Sequence, residues 1–272
     1  MGNVFDAMKK HEAEQASGAG AVPRAAPAEA APPAPAQASA PARGRGPVAV
    51  NGYSEVLVAH HDRGNAIAEE YRALRTNLLA QYQDGRFCLL VTSAVPGEGK
   101  TVTCLNLAVV LAERPEYRTL VVDCDLRRGR AASYLQIEKS PGMADVLRGK
   151  ASIEEATRQT PYPNLWVIPA GRAPDEEVGE LLGKPEVDEI VGRLRRDYDY
   201  VLIDTPPITR ASDAGILGRA AHEALLVVHM YKTHRESVDT AIRLLHAANV
   251  KPVGVVLTHQ QYVIPSYLYR YS

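Results

Sequence analysis

A glycine-rich segment between an apolar, strand-like run and a helix-like run constrains this chain of 272 residues most strongly. Residues 93–101 read Ser-Ala-Val-Pro-Gly-Glu-Gly-Lys-Thr, and they directly follow the apolar run Phe87–Thr92. Backbone N–H groups around Gly97 and Gly99 can curl around phosphate oxygens, and the start of a helix adds unsatisfied amides and the positive end of its dipole. The segment therefore predicts a phosphate-binding loop (P-loop) between a β-strand and an α-helix.

The side chains at the end of this loop suit ATP with Mg²⁺. Lys100 can reach the β- and γ-phosphates as a point charge, and the Thr101 hydroxyl is placed to ligate Mg²⁺. Ala94 stands where the strict G-x-x-x-x-G-K-[ST] pattern has its first glycine. A plain turn with a surface lysine is the alternative, and the flanking strand and helix patterns disfavour it. The residues expected to contact the nucleotide are Pro96, Gly97, Glu98, Gly99, Lys100, Thr101 and Val102.

Two other apolar runs end in carboxylates. The run Thr119–Arg127 contains Asp123 and Asp125, and the run Tyr200–Pro207 contains Asp204. Read alone, each carboxylate is most simply a helix N-cap or a turn residue. Because the carboxyl ends of parallel strands share one rim with the phosphate loop, we expect the three side chains to converge on the bound Mg-nucleotide.

Strand-like and helix-like runs alternate through most of the chain. Strands are predicted near residues 55–59, 87–93, 118–123, 164–168, 199–204, 223–229 and 252–258. Helices are predicted near residues 64–83, 101–113, 177–196, 211–219 and 235–248. This alternation predicts an α/β fold with a doubly wound, mostly parallel sheet, as in P-loop NTPases.

Composition divides the chain into three regions. Residues 1–50 combine a short helical pattern, Val4–Gln15, with an Ala/Pro-rich tract that predicts an extended linker. The short helix is either a docking element or a frayed terminus. Residues 51–259 suit one α/β domain with a full core. Residues 260–272 form a tail that contains Tyr262, Tyr267, Tyr269 and Tyr271.

Charge and hydropathy disfavour several classes of protein. Lys and Arg total 31 against 32 Asp and Glu, so no basic field indicates nucleic acid or anionic lipid as a partner. No apolar run approaches the roughly 20 residues of a membrane helix, so direct membrane insertion is not expected. Cys88, Cys104 and Cys124 lie in apolar patterns, which predicts buried thiols in a reducing cytoplasm. A metal site at His60-His61-Asp62 is conceivable, but a solvated turn is favoured.

Three of these segments together resemble the bacterial tyrosine kinases (BY-kinases) of capsule and exopolysaccharide synthesis. In that family the loop reads Ser-x-x-Pro-Gly-Glu-Gly-Lys followed by Ser or Thr, as in residues 93–101. Three apolar residues followed by Asp-x-Asp-x-Arg are matched by Leu120–Arg127, and Ile-Asp-Thr-Pro-Pro is matched by Ile203–Pro207. The resemblance runs from about residue 60 onward and implies the deviant Walker, MinD/ParA-like superfamily.

Two positions separate this chain from related patterns. The cell-division and partitioning ATPases nearest to this family carry a signature lysine early in the loop, where this chain has Val95, which favours the kinase branch. The kinase family often has Asn-Pro before a Glu-Leu-Leu, and here the stretch is Glu177–Leu182 without it.

The resemblance implies an ATP-dependent, autophosphorylating protein-tyrosine kinase. The family's catalytic residues correspond to Lys100, Asp123, Asp125 and Asp204. Mg²⁺ would be held by Thr101, Asp125 and Asp204, directly or through water, and Asp123 would accept the tyrosine hydroxyl proton. The phosphorylated residues would be the tail tyrosines Tyr262, Tyr267, Tyr269 and Tyr271.

The resemblance also implies assembly and partners. A further family signature, Glu-x-x-Arg-x-x-Arg, occurs as Glu69, Arg72 and Arg75 on the predicted helix 64–83 and would pair subunits in a closed ring. Without the resemblance, these residues read as a solvated face with i,i+3 pairs worth about 0.2–0.5 kcal/mol each. On the same helix, a stripe predicted to pack on the sheet consists of Ile67, Tyr71, Leu74, Leu78 and Tyr82.

The family further implies a separate membrane activator, a polysaccharide co-polymerase, that recruits a cytoplasmic kinase to the inner face of the cell membrane. A cognate tyrosine phosphatase is a second implied partner, and no nucleic acid is expected. The alternative function is a non-kinase ATPase switch of the MinD/ParA type, which acts through nucleotide-dependent assembly.

Overall fold

The computed structural model describes residues 52–82, 84–210 and 213–260. The predicted N-terminal helix, the Ala/Pro-rich tract and the four tail tyrosines lie outside these residues. Within them, ten helices and seven strands are present. The helices are α1 Val58–His61, α2 Ala66–Leu79, α3 Lys100–Leu111, α4 Ala131–Tyr134, α5 Met143–Leu147, α6 Ile153–Ala156, α7 Asp175–Leu182, α8 Glu186–Asp197, α9 Asp213–Ala221 and α10 Arg235–Ala247. The strands are β1 Phe87–Ser93, β2 Thr119–Asp123, β3 Arg158–Gln159, β4 Leu165–Ile168, β5 Tyr200–Asp204, β6 Glu223–His229 and β7 Lys251–Thr258.

The strands form a single sheet in the order β3-β4-β2-β5-β1-β6-β7. Every neighbouring pair is parallel except β3 and β4, which are antiparallel. The predicted mostly parallel α/β sheet is therefore confirmed. Asp204 lies in register with Asp123 on β2 and with Val91 on β1, so the two carboxylate strands flank each other beside the strand that feeds the phosphate loop.

The central strands are apolar on both faces because helices cover both. On β1, Phe87, Leu89 and Val91 belong to one buried cluster, which includes the apolar residues of α3. Cys88 and Leu90 belong to the other, which includes residues of α7, α8, α9 and α10. Burial of each large side chain stabilises the fold by about 1.5–3 kcal/mol. The two-sided burial explains why the strands read as continuous apolar runs rather than alternating ones.

The three cysteines have no disulfide partner and are buried, as predicted. Within the described ranges, no helix is both long and apolar enough to cross a bilayer.

The strand predicted at residues 55–59 is wrong. The segment instead runs into the short helix α1, and its backbone groups are satisfied by a side chain of α3. Asn106 Oδ1 accepts the Ala59 N–H at 3.0 Å, and Asn106 Nδ2 donates to the Val56 carbonyl at 3.0 Å. An amide side chain therefore replaces the neighbouring strand that the apolar run alone would have required.

Two predicted helices have different bounds in the structure. The predicted helix 177–196 is two helices, α7 and α8, separated at Gly183–Pro185, because proline cannot donate a backbone hydrogen bond within a helix. The helix predicted at residues 64–83 is α2, and the Asn65 side chain caps its start by accepting the Ile67 N–H at 2.8 Å. Helices α4, α5 and α6 and strand β3 have two to five residues each, too few to show a periodic pattern.

The predicted apolar stripe of α2 is correct only in part. Leu78 is buried and Tyr71, Leu74 and Tyr82 are partly buried, but Ile67 is 53% exposed. Helix α2 packs mainly on α3, so it forms a second layer over the helix that follows the phosphate loop rather than lying directly on the sheet.

Candidate active site

The phosphate loop spans residues 94–99 between β1 and α3. Gly97 and Gly99 have φ angles of 84° and 88°, in the left-handed region that favours glycine. No atom of the described chain lies within 4 Å of the position that a Cβ on Gly97 would occupy. Gly97 therefore faces open space, and the loop amides and the start of α3 lie beside it, which fits a phosphate group.

Glu98 connects the phosphate loop to the neighbouring strands β6 and β7. Its side chain is buried, and its Oε2 accepts the Val95 N–H at 2.7 Å. Its Oε1 accepts the His229 N–H at 3.1 Å and the Thr233 hydroxyl. The Thr258 hydroxyl donates to the Glu98 carbonyl at 2.8 Å. The Glu98 carboxylate therefore holds the loop to the end of β6 and to Thr233, and the Glu98 carbonyl holds it to the end of β7. No sequence pattern had singled out His229, Thr233 or Thr258.

The pair Thr101 and Asp204 lies at the base of the loop. The Thr101 hydroxyl donates to Asp204 Oδ2 at 2.6 Å, and Asp204 is completely buried. Within the described residues, Asp204 Oδ1 has no hydrogen-bond partner. Burial raises the pKa of Asp204 to about 6, although the positive charge of Lys100 acts in the opposite direction. A buried carboxylate oxygen without a partner beside a threonine hydroxyl fits a divalent cation.

Lys100 and Asp125 form an ion pair of 3.2 Å between Nζ and Oδ2. Both side chains are largely buried. Asp125 Oδ1 accepts the Arg128 N–H at 3.2 Å. The structure thus brings Lys100, Thr101, Asp125 and Asp204 together at one rim, as predicted from the strand ends.

Asp123 is held more tightly than the other carboxylates. It is completely buried, and its two oxygens accept the backbone N–H groups of Asp125 at 3.1 Å and of Ala131 at 3.0 Å. Burial and the charge of Asp204 raise the pKa of Asp123 well above its usual value. Its predicted part in accepting the tyrosine proton stays a prediction.

The described residues contain no group of three or more His, Cys, Asp or Glu side chains placed to hold a metal ion by themselves. Mg²⁺ usually keeps several waters and takes one or two carboxylates together with substrate phosphates, so a site without such a group is compatible with the predicted ligands Thr101, Asp125 and Asp204. At His60-His61, His60 Nδ1 contacts the Tyr162 hydroxyl at 2.8 Å and His61 Nε2 contacts the Tyr53 carbonyl at 3.1 Å. These histidines take part in local hydrogen bonds.

The arginine that ends the second signature has a structural partner which sequence reasoning missed. Arg127 Nε donates to Asp213 Oδ2 at 3.0 Å, and its Nη1 donates to the Asp175 carbonyl at 3.0 Å. Asp213 is buried at the start of α9. Arg127 thus fixes the loop after β2 to two helices on one face of the sheet.

The loop after β5 is fixed to β1. The Ile208 N–H donates to the Ser93 carbonyl at 3.0 Å, and the Thr92 hydroxyl donates to the Pro206 carbonyl at 2.9 Å. These bonds set the position of Asp204 relative to the phosphate loop.

The signature on α2 makes ion pairs inside the chain. Arg72 Nη2 and Arg75 Nη1 each lie 2.8 Å from a carboxylate oxygen of Glu113, which follows α3. Arg72 also contacts Glu69 at 2.5 Å, the i,i+3 pair expected on a helix. Glu69 is the exposed member of the set. A part for Glu69, Arg72 and Arg75 in a ring interface stays a prediction.

Several known proteins are similar to this chain. Residues 91–245 match the AAA domain family. The chain is 35% identical over 191 residues to the tyrosine-protein kinase YwqD of Bacillus subtilis, covering 70% of this chain and 80% of that protein. It is also 35% identical over 190 residues to the tyrosine-protein kinase Wzc of Salmonella typhimurium. That match covers 70% of this chain and 26% of Wzc, so the chain spans about a quarter of that relative's length.

Solved structures agree with the fold. The kinase domain of the Escherichia coli tyrosine kinase ETK superposes with a TM-score of 0.70 at 28% identity, covering 77% of this chain and 83% of that domain. The septum site-determining protein MinD of Pyrococcus horikoshii, solved with Mg-ADP, superposes with a TM-score of 0.55 at 26% identity, covering 67% of this chain and 75% of that protein. The chain therefore has the P-loop NTPase fold that these two groups share, and this fold binds nucleotides.

Proposed function

This chain belongs to the bacterial tyrosine-protein kinase family, and from that premise we propose that it transfers the γ-phosphoryl group of ATP to tyrosine hydroxyls. Its main support within the molecule is the set of four side chains at the loop: Lys100 paired with Asp125, and Thr101 paired with Asp204. The unpartnered Asp204 oxygen and the open space in front of Gly97 supply a cation site and a phosphate site side by side.

Each residue of the site has a separate role in the proposed phosphoryl transfer. The amides at Gly97 to Thr101 bind phosphate oxygens, and Lys100 donates to the β- and γ-phosphates. Thr101 and Asp204 would hold Mg²⁺, with Asp125 as a further ligand directly or through water. When bound, Mg²⁺ neutralises charge on the phosphate oxygens. The bond between the γ-phosphorus and its bridging oxygen breaks, a bond from that phosphorus to the tyrosine oxygen forms, and ADP leaves. Asp123 accepts the hydroxyl proton.

The acceptors in this proposal are the tail tyrosines Tyr262, Tyr267, Tyr269 and Tyr271 of a second copy. Eleven residues of extended chain span about 35 Å at 3.3 Å per residue, which is long enough to reach a neighbouring subunit. A ring paired through Glu69, Arg72 and Arg75 would bring such a tail to the next site. Each phosphate adds about −1.5 to −2 charges, so a fully modified ring would repel itself and loosen.

By family, the cellular role is control of capsule or exopolysaccharide synthesis or export. This role needs a membrane activator that recruits the chain to the inner face of the cell membrane, and a tyrosine phosphatase that resets the tail. The N-terminal segment Val4–Gln15 is a candidate contact for the activator. Loss of binding in competition with a peptide of residues 1–17 would support this contact, and unaffected binding would rule it out.

An ATPase switch without tyrosine transfer is the second candidate function, and the similarity to MinD favours it. Val95 in place of the signature lysine and the tyrosine-rich tail favour the kinase. The two candidates predict different products from the same reaction mixture.

The test is incubation of the purified chain with Mg-ATP, with and without the cytoplasmic segment of its activator, followed by detection of phosphotyrosine and of ADP. Lys100→Ala and a chain truncated after His259 should both lose the phosphotyrosine signal. Lys251→Ala, which removes an exposed lysine at the edge of the sheet, is the matched control and should keep it. ADP release without phosphotyrosine, even with the activator, would establish the switch instead.

A further inference from the structure

At the edge of the sheet where β2 and β4 end lies an open cavity of about 570 Å³ whose lining includes four cationic side chains. They are Arg127, Arg128, Lys139 and Arg172. We propose that this cavity binds the phosphate group of a phosphotyrosine in the tail of a second copy. The proposal rests on the proposed function, since only a kinase would supply that phosphotyrosine.

The cavity adjoins the carboxylates of the candidate active site. Its wall includes Gly129, where an added Cβ would lie 3.8 Å from Asp123 Oδ2 and 2.6 Å from the Ala170 Cβ. The backbone N–H of Arg128, another lining residue, donates to Asp125 Oδ1 at 3.2 Å. The lining comes from the loops that follow β2 and β4, which end at the same edge of the sheet as the phosphate loop.

The segment that leads into the wall, residues 169–172, is fixed by hydrogen bonds from α5 and from Arg148, which follows α5. The Met143 N–H donates to the Pro169 carbonyl at 2.7 Å, and the Ala144 N–H donates to the Ala170 carbonyl at 2.9 Å. Arg148 Nη1 donates to the Arg172 carbonyl at 2.8 Å. The cavity is therefore formed in advance, and only the ends of its cationic side chains have to be ordered when a ligand binds.

Charge in the cavity is mostly uncompensated. Arg127 is paired with Asp213, as described above. In the described part of the chain, the side chains of Arg128, Lys139 and Arg172 make no ion pair or hydrogen bond, and the lining contains no carboxylate. A neighbouring cavity of about 450 Å³ shares Lys139 and Arg172 and adds Glu138. Three free cations around one space suit a dianion, and arginine binds phosphate through paired N–H groups.

The tail acquires such a dianion only by phosphorylation. Residues 261–272 contain no Asp or Glu and one arginine, Arg270, so the unmodified tail offers no acidic side chain. A phosphotyrosine adds about −1.5 to −2 charges. Tyr267, Tyr269 and Tyr271 alternate, so in an extended chain neighbouring members lie about 7 Å apart on one side. A single phosphate held in the cavity would keep the tail at the edge of the sheet where β2 ends, so one modification would favour another until repulsion between further phosphates loosens the ring.

The test is direct binding, which needs no catalysis. The full chain is first treated with a tyrosine phosphatase and kept without ATP. Fluorescence anisotropy then measures binding of two labelled peptides of residues 260–272, one unmodified and one phosphorylated at Tyr269. We expect the phosphopeptide to bind about tenfold more tightly or better, because it gains charge-assisted hydrogen bonds. This preference should persist with saturating Mg-ADP, which occupies the phosphate loop.

Two variants test whether the cavity causes the tighter binding of the phosphopeptide. Arg172→Ala and Lys139→Ala alter exposed side chains and should each reduce phosphopeptide affinity severalfold, with little effect on the unmodified peptide. Arg235→Ala removes an exposed arginine on α10 and should change neither affinity. Equal affinity for the two peptides, displacement by Mg-ADP, or unchanged binding in both cavity variants would overturn the proposal.

Free inorganic phosphate is the other ligand that could present the same dianion to the cavity. Inorganic phosphate should compete with the phosphopeptide only at concentrations at least about tenfold higher, because it lacks the rest of the tail. Competition at equal concentration would show a site for free phosphate and overturn the proposal. A kinase assay that yields no phosphotyrosine would remove the proposed function, whereas the binding result would stand by itself.

Discussion

Arg72 and Glu113 form a two-point ion pair, with Arg72 Nε and Nη2 at 3.0 and 2.8 Å from Glu113 Oε1. Arg75 binds the second oxygen of the same carboxylate at 2.8 Å. These contacts join α2 to the end of the helix that begins at the phosphate loop. Two arginines of a signature expected to serve a subunit interface are therefore also internal structural residues.

Glu113→Gln should lower the free energy of unfolding by about 1–2 kcal/mol. The substitution keeps the size of the side chain but removes the charge that both partly buried guanidinium groups face. Urea unfolding followed by circular dichroism measures the effect. Glu116→Gln is the matched control, because Glu116 is exposed and its pair with Arg114 should contribute less than about 1 kcal/mol. Equal stability of the wild type and Glu113→Gln would show that the ion pair contributes nothing.

The same pair should make stability depend on pH in the acidic range. Burial alone would raise the pKa of Glu113, but hydrogen bonds from Arg72 and Arg75 outweigh it and lower the pKa. A lowered pKa means that the contribution is complete above the unfolded pKa of about 4.3 and is lost as the pH falls through the folded pKa. The difference in unfolding free energy between wild type and Glu113→Gln should be constant from about pH 6 to 8 and decrease below about pH 4. A difference that grows on acidification would contradict the lowered pKa.

Thr101→Val should abolish most of the Mg²⁺ dependence of nucleotide binding. The substitution preserves the shape of the side chain but removes the hydroxyl that donates to Asp204 Oδ2 at 2.6 Å, and with it a proposed ligand of the cation. Titration with a fluorescent ADP analogue, with Mg²⁺ and with EDTA, gives the ratio of the two affinities. Thr103→Val provides the control, since the Thr103 hydroxyl has no hydrogen-bond partner in the described residues. A ratio that stays at the wild-type value in Thr101→Val would exclude Thr101 as a ligand.

Glu98→Ala should weaken nucleotide binding by about tenfold or more. The side chain does not face the phosphate space, so the loss would come from a loop that is no longer held to His229 and Thr233. A tenfold loss of affinity corresponds to about 1.4 kcal/mol of binding free energy. Glu180→Ala, an exposed position on α7, should leave the affinity unchanged. Wild-type affinity in Glu98→Ala would mean that the loop keeps its shape without this carboxylate.

Asn106→Leu should destabilise the domain by about 1–3 kcal/mol. The variant keeps a similar volume but leaves the Ala59 N–H and the Val56 carbonyl without their partner. Thermal unfolding monitored by circular dichroism reports the change. No loss of stability would mean that these two backbone groups find other partners.

The sequence predicted the central sheet well for a physical reason. Strands buried on both faces are continuous apolar runs, and β1 and β6 have the bounds that their apolar residues suggested. A segment whose backbone groups are hydrogen-bonded by one distant side chain could not be predicted from its own sequence. The run before α1 looks like a strand, and only Asn106, 47 residues beyond Ala59, explains why it is not one.

In the candidate site, too, some residues could be predicted from local sequence and others could not. Lys100 and Thr101 follow from the loop motif, and Asp125 and Asp204 follow from strand ends that must meet at one rim, so local sequence was sufficient to predict that they lie together. Their supports do not follow. Glu113 lies 41 positions from Arg72, Asp213 lies 86 positions from Arg127, and His229 lies 131 positions from Glu98. Nothing local distinguishes these partners from ordinary surface or cap residues. Glu98 stays among the residues predicted to contact the nucleotide, and its buried carboxylate binds backbone N–H groups of Val95 and His229.

The hydrogen bond from the Thr258 hydroxyl to the Glu98 carbonyl joins two residues that lie 160 positions apart in the sequence. Thr258 ends β7, and the tyrosine-rich tail begins two residues later. The loop that is predicted to bind the nucleotide phosphates is thus hydrogen-bonded to the strand end that precedes the predicted acceptor tyrosines. If Glu98 shifts when a nucleotide binds or leaves, the first group to feel the shift beyond the loop would be the Thr258 hydroxyl, two residues before the tail begins.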